Sequence, residues 1–268
     1  MRAAANLMKY LAVARTTTMA SLIYDRDLLV RSVFMVVVMV VFVQLWSATY
    51  AGNGLNAIDG FGVGDLIWYM VITEALILSA PRIVQTIDGE VRGGDVAYRL
   101  TRPYSYPLYH VASFWGETLV RLPVNLLAGG AVALLAVGPP ALSWQIVLGT
   151  GLAAACSITL MGTVAVLIGL SAFWVEDTLP IDWIYNKFVF TLGGMFIPLD
   201  LFPSWLAVVS RVLPFSSICY APARLFVGFS WEAFGSLIAT QVVWLTVAGL
   251  VVQLVFSRAV RRVVAHGG

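Results

Sequence analysis

Long apolar runs, separated by short polar segments, dominate the chain. Most of the runs are long enough to cross a hydrocarbon layer of roughly 30 Å as a helix. Glycine and proline end several of them, as Gly138, Pro139 and Pro140 do after the third. The pattern predicts an all-α integral membrane protein with six transmembrane helices, at residues 32–50, 66–84, 108–137, 144–171, 188–197 and 235–256.

The N-terminal residues 1–30 have a different pattern. Apolar residues recur there at intervals of three to five, at Leu7, Leu11, Ala14, Met19 and Leu22. Such spacing places them on one face of a helix, and the basic residues between them suit lipid headgroups. We therefore expect an N-terminal amphipathic helix that lies at the membrane interface.

A proline-rich stretch, residues 198–230, separates the fifth and sixth predicted spans. Its four prolines are Pro198, Pro203, Pro214 and Pro222. Because proline lacks a backbone N–H and clashes with the preceding turn, one continuous spanning helix is excluded. We expect two short helices that enter the membrane and return, with their broken backbone hydrogen bonds shielded by protein.

Lysine and arginine are distributed unevenly between the two sides of the predicted bundle. With six spans, thirteen lysine and arginine residues fall on the side that holds both termini, whereas Arg211 and Arg224 fall on the other side. Cytoplasmic segments carry the excess of basic residues in membrane proteins. Both termini are therefore predicted to be cytoplasmic.

Composition narrows the class of protein further. Of the 268 residues, 60% are hydrophobic and 11% are charged, against about 25% charged in soluble domains. Neither lysine, Lys9 or Lys187, lies in a glycine-rich phosphate-binding loop, so the chain carries no such ATP site. The two cysteines and two histidines are isolated in the sequence, so we predict no metal site and no catalytic residue. A net charge of +2 gives no reason to expect nucleic-acid binding.

Ionisable residues also lie away from the ends of the predicted spans, namely Glu74, Glu117 and Arg121. Charges in the hydrocarbon layer are costly, so each is a candidate for function. Helical rise places Glu74 and Arg121 at similar depths, which allows an interhelical ion pair, while Glu117 and Arg121 are neighbours four residues apart. A structural ion pair and a polar contact along a substrate path both remain open.

Three segments resemble those of a known family. They are EVRGGDVAYRLTRP, FWVEDTLPIDWIYNK and GGMFIPLDLFPSWLAVVSRVLPFSSICYAPARLFVG. With the amphipathic start and the six spans, they make the chain similar to the permease subunits of ABC-2 type exporters. The resemblance is to the subgroup in which two different permeases are encoded with a separate ATPase. It implies a single transmembrane permease domain over residues 1–268.

The resemblance also implies roles for individual residues. Residues 85–107 would form a cytoplasmic coupling segment that sits in a cleft of the ATPase, with the candidate contacts Asp88, Glu90, Arg92, Asp95 and Arg99. The re-entrant segment, with its prolines, would form an outer gate. From composition alone, the alternative for the coupling segment is a solvated loop.

We therefore expect a permease subunit of an exporter in the bacterial cytoplasmic membrane, and not an enzyme. Its substrate would be an amphipathic or hydrophobic small molecule, a drug or a lipid-linked compound. An ABC ATPase dimer would bind ATP and Mg²⁺, and a second permease would complete the complex. We expect that second permease to be a different chain, giving a heterodimer rather than a homodimer. The alternatives are a non-transporting scaffold or sensor partner of an ATPase, and a secondary transporter.

Overall fold

The described part of the chain is all-helical. The computed structural model describes residues 2–23, 25–54, 57–58 and 60–266, and in these it contains helices and one isolated bridge between Ile58 and Phe61. The α-helices are α1 (Arg2–Ile23), α2 (Asp25–Asn53), α3 (Val63–Leu78), α4 (Ile83–Arg92), α5 (Asp95–Leu100), α6 (Tyr106–Val137), α7 (Trp144–Leu170), α8 (Leu179–Leu192), α9 (Ser204–Val212), α10 (Tyr220–Val227) and α11 (Trp231–His266).

Five helical segments of the described chain are long and apolar enough to cross a membrane. They are Leu28–Gly52, Val63–Arg92, Tyr106–Val137, Trp144–Phe173 and Trp231–Arg262. The all-α membrane fold is therefore confirmed, while the predicted fifth span is not among these segments. Helix α8 covers 14 residues, or about 21 Å, which is shorter than the hydrocarbon layer.

Helix α6 is longer than a single crossing requires. Its 32 residues continue through Pro123 and extend about 48 Å. The predicted run, 108–137, matches it to within two residues. Because the hydrocarbon layer is only roughly 30 Å thick, part of α6 must project beyond it or tilt strongly.

The first helix packs lengthwise against the first half of α6. The backbone N–H of Ser105 donates to the Tyr10 hydroxyl at 3.0 Å, and the Thr18 hydroxyl donates to the Gly116 carbonyl at 2.9 Å. Gly116 allows this approach, since a Cβ there would collide with the carbonyl of Ala14. The predicted amphipathic segment is thus a helix that uses α6 as its partner.

The second predicted span is broken. Helix α3 ends at Leu78 and α4 begins at Ile83, because Pro81 cannot continue the preceding helix. Arg31 of α2 donates to the carbonyls of Leu78 and Ala80, at 2.9 and 3.3 Å. These bonds satisfy carbonyl groups that the break leaves without helical partners.

The proline-rich stretch forms two short helices, α9 and α10, as its sequence predicts. Pro198 and Pro203 immediately precede helical turns, and Pro222 lies in the first turn of α10, where no backbone donor is needed. Gln241 of α11 anchors the link between the two helices. Its amide donates to the Ser217 carbonyl at 2.8 Å and to the Ala153 carbonyl of α7 at 3.0 Å.

Candidate coupling site

The coupling candidates lie on an elbow made by α4, Gly93, Gly94 and α5. Helix α4 turns Ile83, Val84 and Ile87 inward. Gly94 has φ +80°, a left-handed conformation that glycine adopts without strain and that separates the two helices. The predicted coupling segment therefore contains two short helices with a sharp turn between them.

Glu90 lies inside the elbow and not on its surface, with only 7% of the residue exposed. Its carboxylate accepts a hydrogen bond from the Tyr106 hydroxyl at 2.7 Å and lies 3.2 Å from Nε2 of His110, both on α6. Arg99 of α5 lies 2.9 Å from its other oxygen. Glu90 therefore ties α4, α5 and the start of α6 together, a role that its charge alone did not indicate.

Asp88 and Arg92 connect the elbow to the loop after α7. Asp88 lies 2.8 Å from Nε of Arg92 and accepts a hydrogen bond from the Thr178 hydroxyl at 3.0 Å. Arg92 also lies 3.9 Å from Asp177. The resemblance identified Asp88 and Arg92 but gave no sign of their partners, which are about 90 residues away in the chain and meet them only in the folded bundle.

The outer face of the elbow is polar and aromatic. Arg92 and Asp95 are exposed, as is Tyr98, with 64% of its surface accessible. The Arg102 guanidinium lies 4.7 Å from the Tyr98 ring centroid, a cation–π distance. Trp174, in the loop after α7, adds an exposed indole. Large exposed aromatic groups beside charged residues are typical of protein–protein contact surfaces.

Helix α8 contacts the elbow through Asp182. The Gln85 amide donates to the Asp182 carboxylate at 3.1 Å. Burial raises the pKa of Asp182, and hydrogen bonds from Gln85 and Asn186 oppose that rise. A cavity of about 260 Å³ lies between α4 and α8. The lining of this cavity is amphipathic, with polar groups that include Arg31, Gln85, Asp182, Tyr185 and Asn186, and apolar groups that include Phe114, Met161 and Phe190.

Of the two ion pairs that the sequence allows, the structure forms the one between Glu117 and Arg121 and not the one between Glu74 and Arg121. Arg121 lies 2.8 Å from Glu117 on its own helix, and both line a cavity against α1. Glu74 is buried, and its Oε1 has no hydrogen-bond partner in the described part of the chain. Depth counted from the predicted span ends is misleading because α6 projects beyond a single crossing.

Two contacts between α3 and α6 give the register. Trp68 donates to the Gly138 carbonyl and Asn125 donates to the Ser79 hydroxyl, so the helices are antiparallel. Glu74 falls between these contacts, at about the level of residue 130. At 1.5 Å per residue, Arg121 is displaced from that level by about 14 Å.

The fold is that of a polytopic helical membrane protein, and no group of three or more metal-binding side chains occurs in its described residues. A family model described as "ABC-2 family transporter protein" matches residues 28–267. The chain therefore belongs to the ABC-2 family of transporter proteins, and permeases of this family work with ATPase subunits. No curated protein and no solved structure matches it significantly.

Proposed function

We propose that the chain is the membrane-spanning subunit of an ATP-driven exporter, coupled to a separate ATPase dimer through the α4–α5 elbow. The observation that carries this proposal is the combination of an exposed polar and aromatic face with a buried anchor, Glu90. The exposed face offers a docking surface, and Glu90 joins it to α6 by 2.7 and 3.2 Å contacts.

The contacts of the elbow provide a route for mechanical coupling. A displacement of α4 acts on α6 through Glu90 and on α8 through the bond between Gln85 and Asp182. It also acts on the loop between α7 and α8 through Asp88 and Thr178. Closure of the ATPase dimer would thus tilt several helices at once, because packed helices move as rigid elements.

The proposed topology has six crossings and both termini in the cytoplasm of a bacterium. Residues 188–197, which begin in the second half of α8, form the short fifth crossing, and α9 and α10 form a re-entrant outer gate. Two features support this arrangement. The basic residues are concentrated at the elbow end of the bundle, and Gln241 holds the link between α9 and α10 against α7 and α11.

An amphipathic substrate fits the cavity between α4 and α8. Apolar and hydrogen-bonding groups share its wall, and the Tyr185 hydroxyl is buried without a hydrogen-bond partner in the described residues. A ligand with one polar end would supply that partner. The candidates for polar contacts along the substrate path remain Glu74, Glu117 and Arg121. A second permease, which we expect to be a different chain, would close this path from the other side.

Co-purification with charge-reversed variants tests the proposal. Arg92→Glu with Arg102→Glu changes the exposed face of the elbow, and Arg258→Glu on α11 is the matched exposed control. We expect the wild type and the control to retain an ATPase and ATP hydrolysis, and the double variant to lose both. Glu90 is left intact, and thermal unfolding of the double variant separates loss of docking from loss of folding, because Arg92 also contacts Asp88 and Asp177. A chain that purifies alone and transports solute along a proton gradient would contradict the proposal.

A further inference from the structure

A polar pocket lies at the opposite end of the bundle from the elbow. It has a volume of about 340 Å³, and its wall includes Asp200, Arg211 of α9 and Arg224 of α10. Several hydroxyl groups complete the polar wall, from Ser216, Ser217, Tyr220, Ser236 and Thr240. The permease role proposed above makes no use of these groups. The volume is at the lower end of the range for small-molecule sites.

Asp200 holds both arginines in place. Its carboxylate lies 3.2 Å from Nη2 of Arg211 and 3.3 Å from Nε of Arg224. The Tyr220 hydroxyl also donates to it at 3.0 Å. One carboxylate therefore faces two guanidinium groups, and the cluster keeps one net positive charge. The Arg211 side chain is 55% exposed, so it offers accessible donors to a ligand in the pocket.

Arg224 is fixed by three contacts. Its Nε faces Asp200, its Nη1 donates to the Gly228 carbonyl at 3.0 Å, and its guanidinium carbon lies 5.4 Å from the Phe61 ring centroid. Gly228 leaves the space that Nη1 occupies, since a Cβ there would collide with it. A guanidinium held in one orientation binds an oxyanion with little further loss of conformational freedom.

The pocket lies near the depth of lipid headgroups in the proposed topology. Trp144 and Trp231, at the first residues of α7 and α11, are exposed and have ring centroids 6.4 Å apart. Exposed tryptophan marks the membrane interface. Ser236 and Thr240 follow Trp231 by five and nine residues, or about 8 and 14 Å. The only two arginines on this side of the proposed topology both line this pocket.

We propose that this pocket binds a monoanionic phosphodiester, either the headgroup of an outer-leaflet phospholipid or that of an exported amphiphile. One net positive charge matches one negative charge, and paired arginines recognise phosphate oxygens by directed hydrogen bonds. The volume accommodates a phosphodiester with a small polar substituent and leaves acyl chains outside, against the bundle. The outward position of the pocket rests on the proposed function, whereas the binding itself does not.

Lipid retention on the full chain, purified with its accompanying proteins, tests the site by native mass spectrometry. The probes are dioleoylphosphatidylglycerol and dioleoylglycerol, which has the same acyl chains and no phosphate. We expect the first to bind and the second not to. Arg211→Gln should weaken binding about tenfold, the loss typical of one charged hydrogen bond. Arg258→Gln, an exposed arginine of α11, should leave binding unchanged.

A variant that is expected to bind more tightly distinguishes loss of the site from loss of folding. Asp200→Asn keeps a side-chain oxygen that accepts hydrogen bonds from the arginines and removes the charge that neutralises one of them, so it should tighten phosphatidylglycerol binding several-fold. Competition by diethyl phosphate would identify the phosphodiester alone as sufficient, as for an exported headgroup. Its failure to compete would show that the acyl chains are also required, as expected for a phospholipid held in the membrane.

Two results would overturn the site: equal binding by the Arg211→Gln and Arg258→Gln variants, or weaker binding by Asp200→Asn. Neither depends on ATP, so these results test the site independently of the permease role.

Discussion

Close packing between α4 and α7 at Gly169 gives the sharpest test of how the elbow is held. A Cβ built on Gly169 would lie 2.8 Å from Cβ of Ile87 and 2.9–3.0 Å from its Cδ1 and Cγ2. Real Cβ atoms do not approach so closely, so Gly169→Ala must push α4 away from α7. Gly151, on the same helix, provides the control, because a Cβ at that position would meet no atom within 4 Å.

The two variants share one effect and differ in another. Replacing a helical glycine by alanine gains about 1 kcal/mol of helix propensity at either position. Only Gly169→Ala adds overpacking, which costs about 1–3 kcal/mol. We therefore expect Gly151→Ala to stabilise by about 1 kcal/mol and Gly169→Ala to be neutral or destabilising by up to about 2 kcal/mol. At 2–4 °C per kcal/mol, their unfolding temperatures should differ by about 2–12 °C.

A thiol-reactive fluorophore in detergent measures this difference, because Cys219 is buried in the fold and becomes reactive when the chain unfolds. ATP hydrolysis by the co-purified complex gives a second readout, and it should fall for Gly169→Ala and not for Gly151→Ala. Equal unfolding temperatures for the two variants would show that α4 does not rest on α7 at this position, and the coupling route through the elbow would lose its support.

Three further changes test other contacts. Glu90→Gln should lower the free energy of unfolding by about 2 kcal/mol, because Arg99 then faces a neutral amide in a largely buried site. Asp95→Asn, at an exposed position, should change it by less than about 0.5 kcal/mol. Thermal unfolding of the two variants compares these effects. Gln241→Leu removes the donor to the Ser217 carbonyl and should speed amide exchange in residues 213–219, so unchanged protection would exclude the anchoring role. Burial raises the pKa of Asp182, so its ionised form is disfavoured in the folded state. Asp182→Asn should therefore stabilise the protein increasingly as pH rises, and should have no such effect below about pH 4. Unfolding measured from below about pH 4 to neutral pH tests this.

The helices that cross the apolar layer are predictable from the sequence, because each is a long apolar run that ends at glycine, proline or polar residues. The predicted limits of α6 and α7 lie within two residues of the observed ones, since glycine and proline mark the turn between these helices. The start of α8 is not predicted because Asp182, Asn186 and Lys187 make its first turns resemble a polar loop. In the fold, Asp182 accepts hydrogen bonds from Asn186 and from Gln85 of α4, so the polar residues of α8 hold helices together.

Side-chain placement is less predictable than helix placement. The resemblance groups Glu90 with the docking charges, although its spacing from Ile83 and Ile87 puts it on the buried face of α4. That periodicity is visible in the sequence and indicates the correct face. Helical rise allowed a Glu74–Arg121 pair that the structure does not form. Rise per residue gives position along one helix, whereas the offset between two helices is set by their packing.

The segment from Pro103 to Tyr106 contacts both the first and the last helix of the chain. Lys9 and Tyr10 of α1 bond to Pro103 and Ser105, and Phe256 of α11 stacks on Tyr106 with ring centroids 6.0 Å apart. Helices α1 and α11 thus both contact the segment that joins the elbow to α6. A displacement of the elbow would therefore act on α1 and α11 at once, so the two helices that are farthest apart in the sequence would move together.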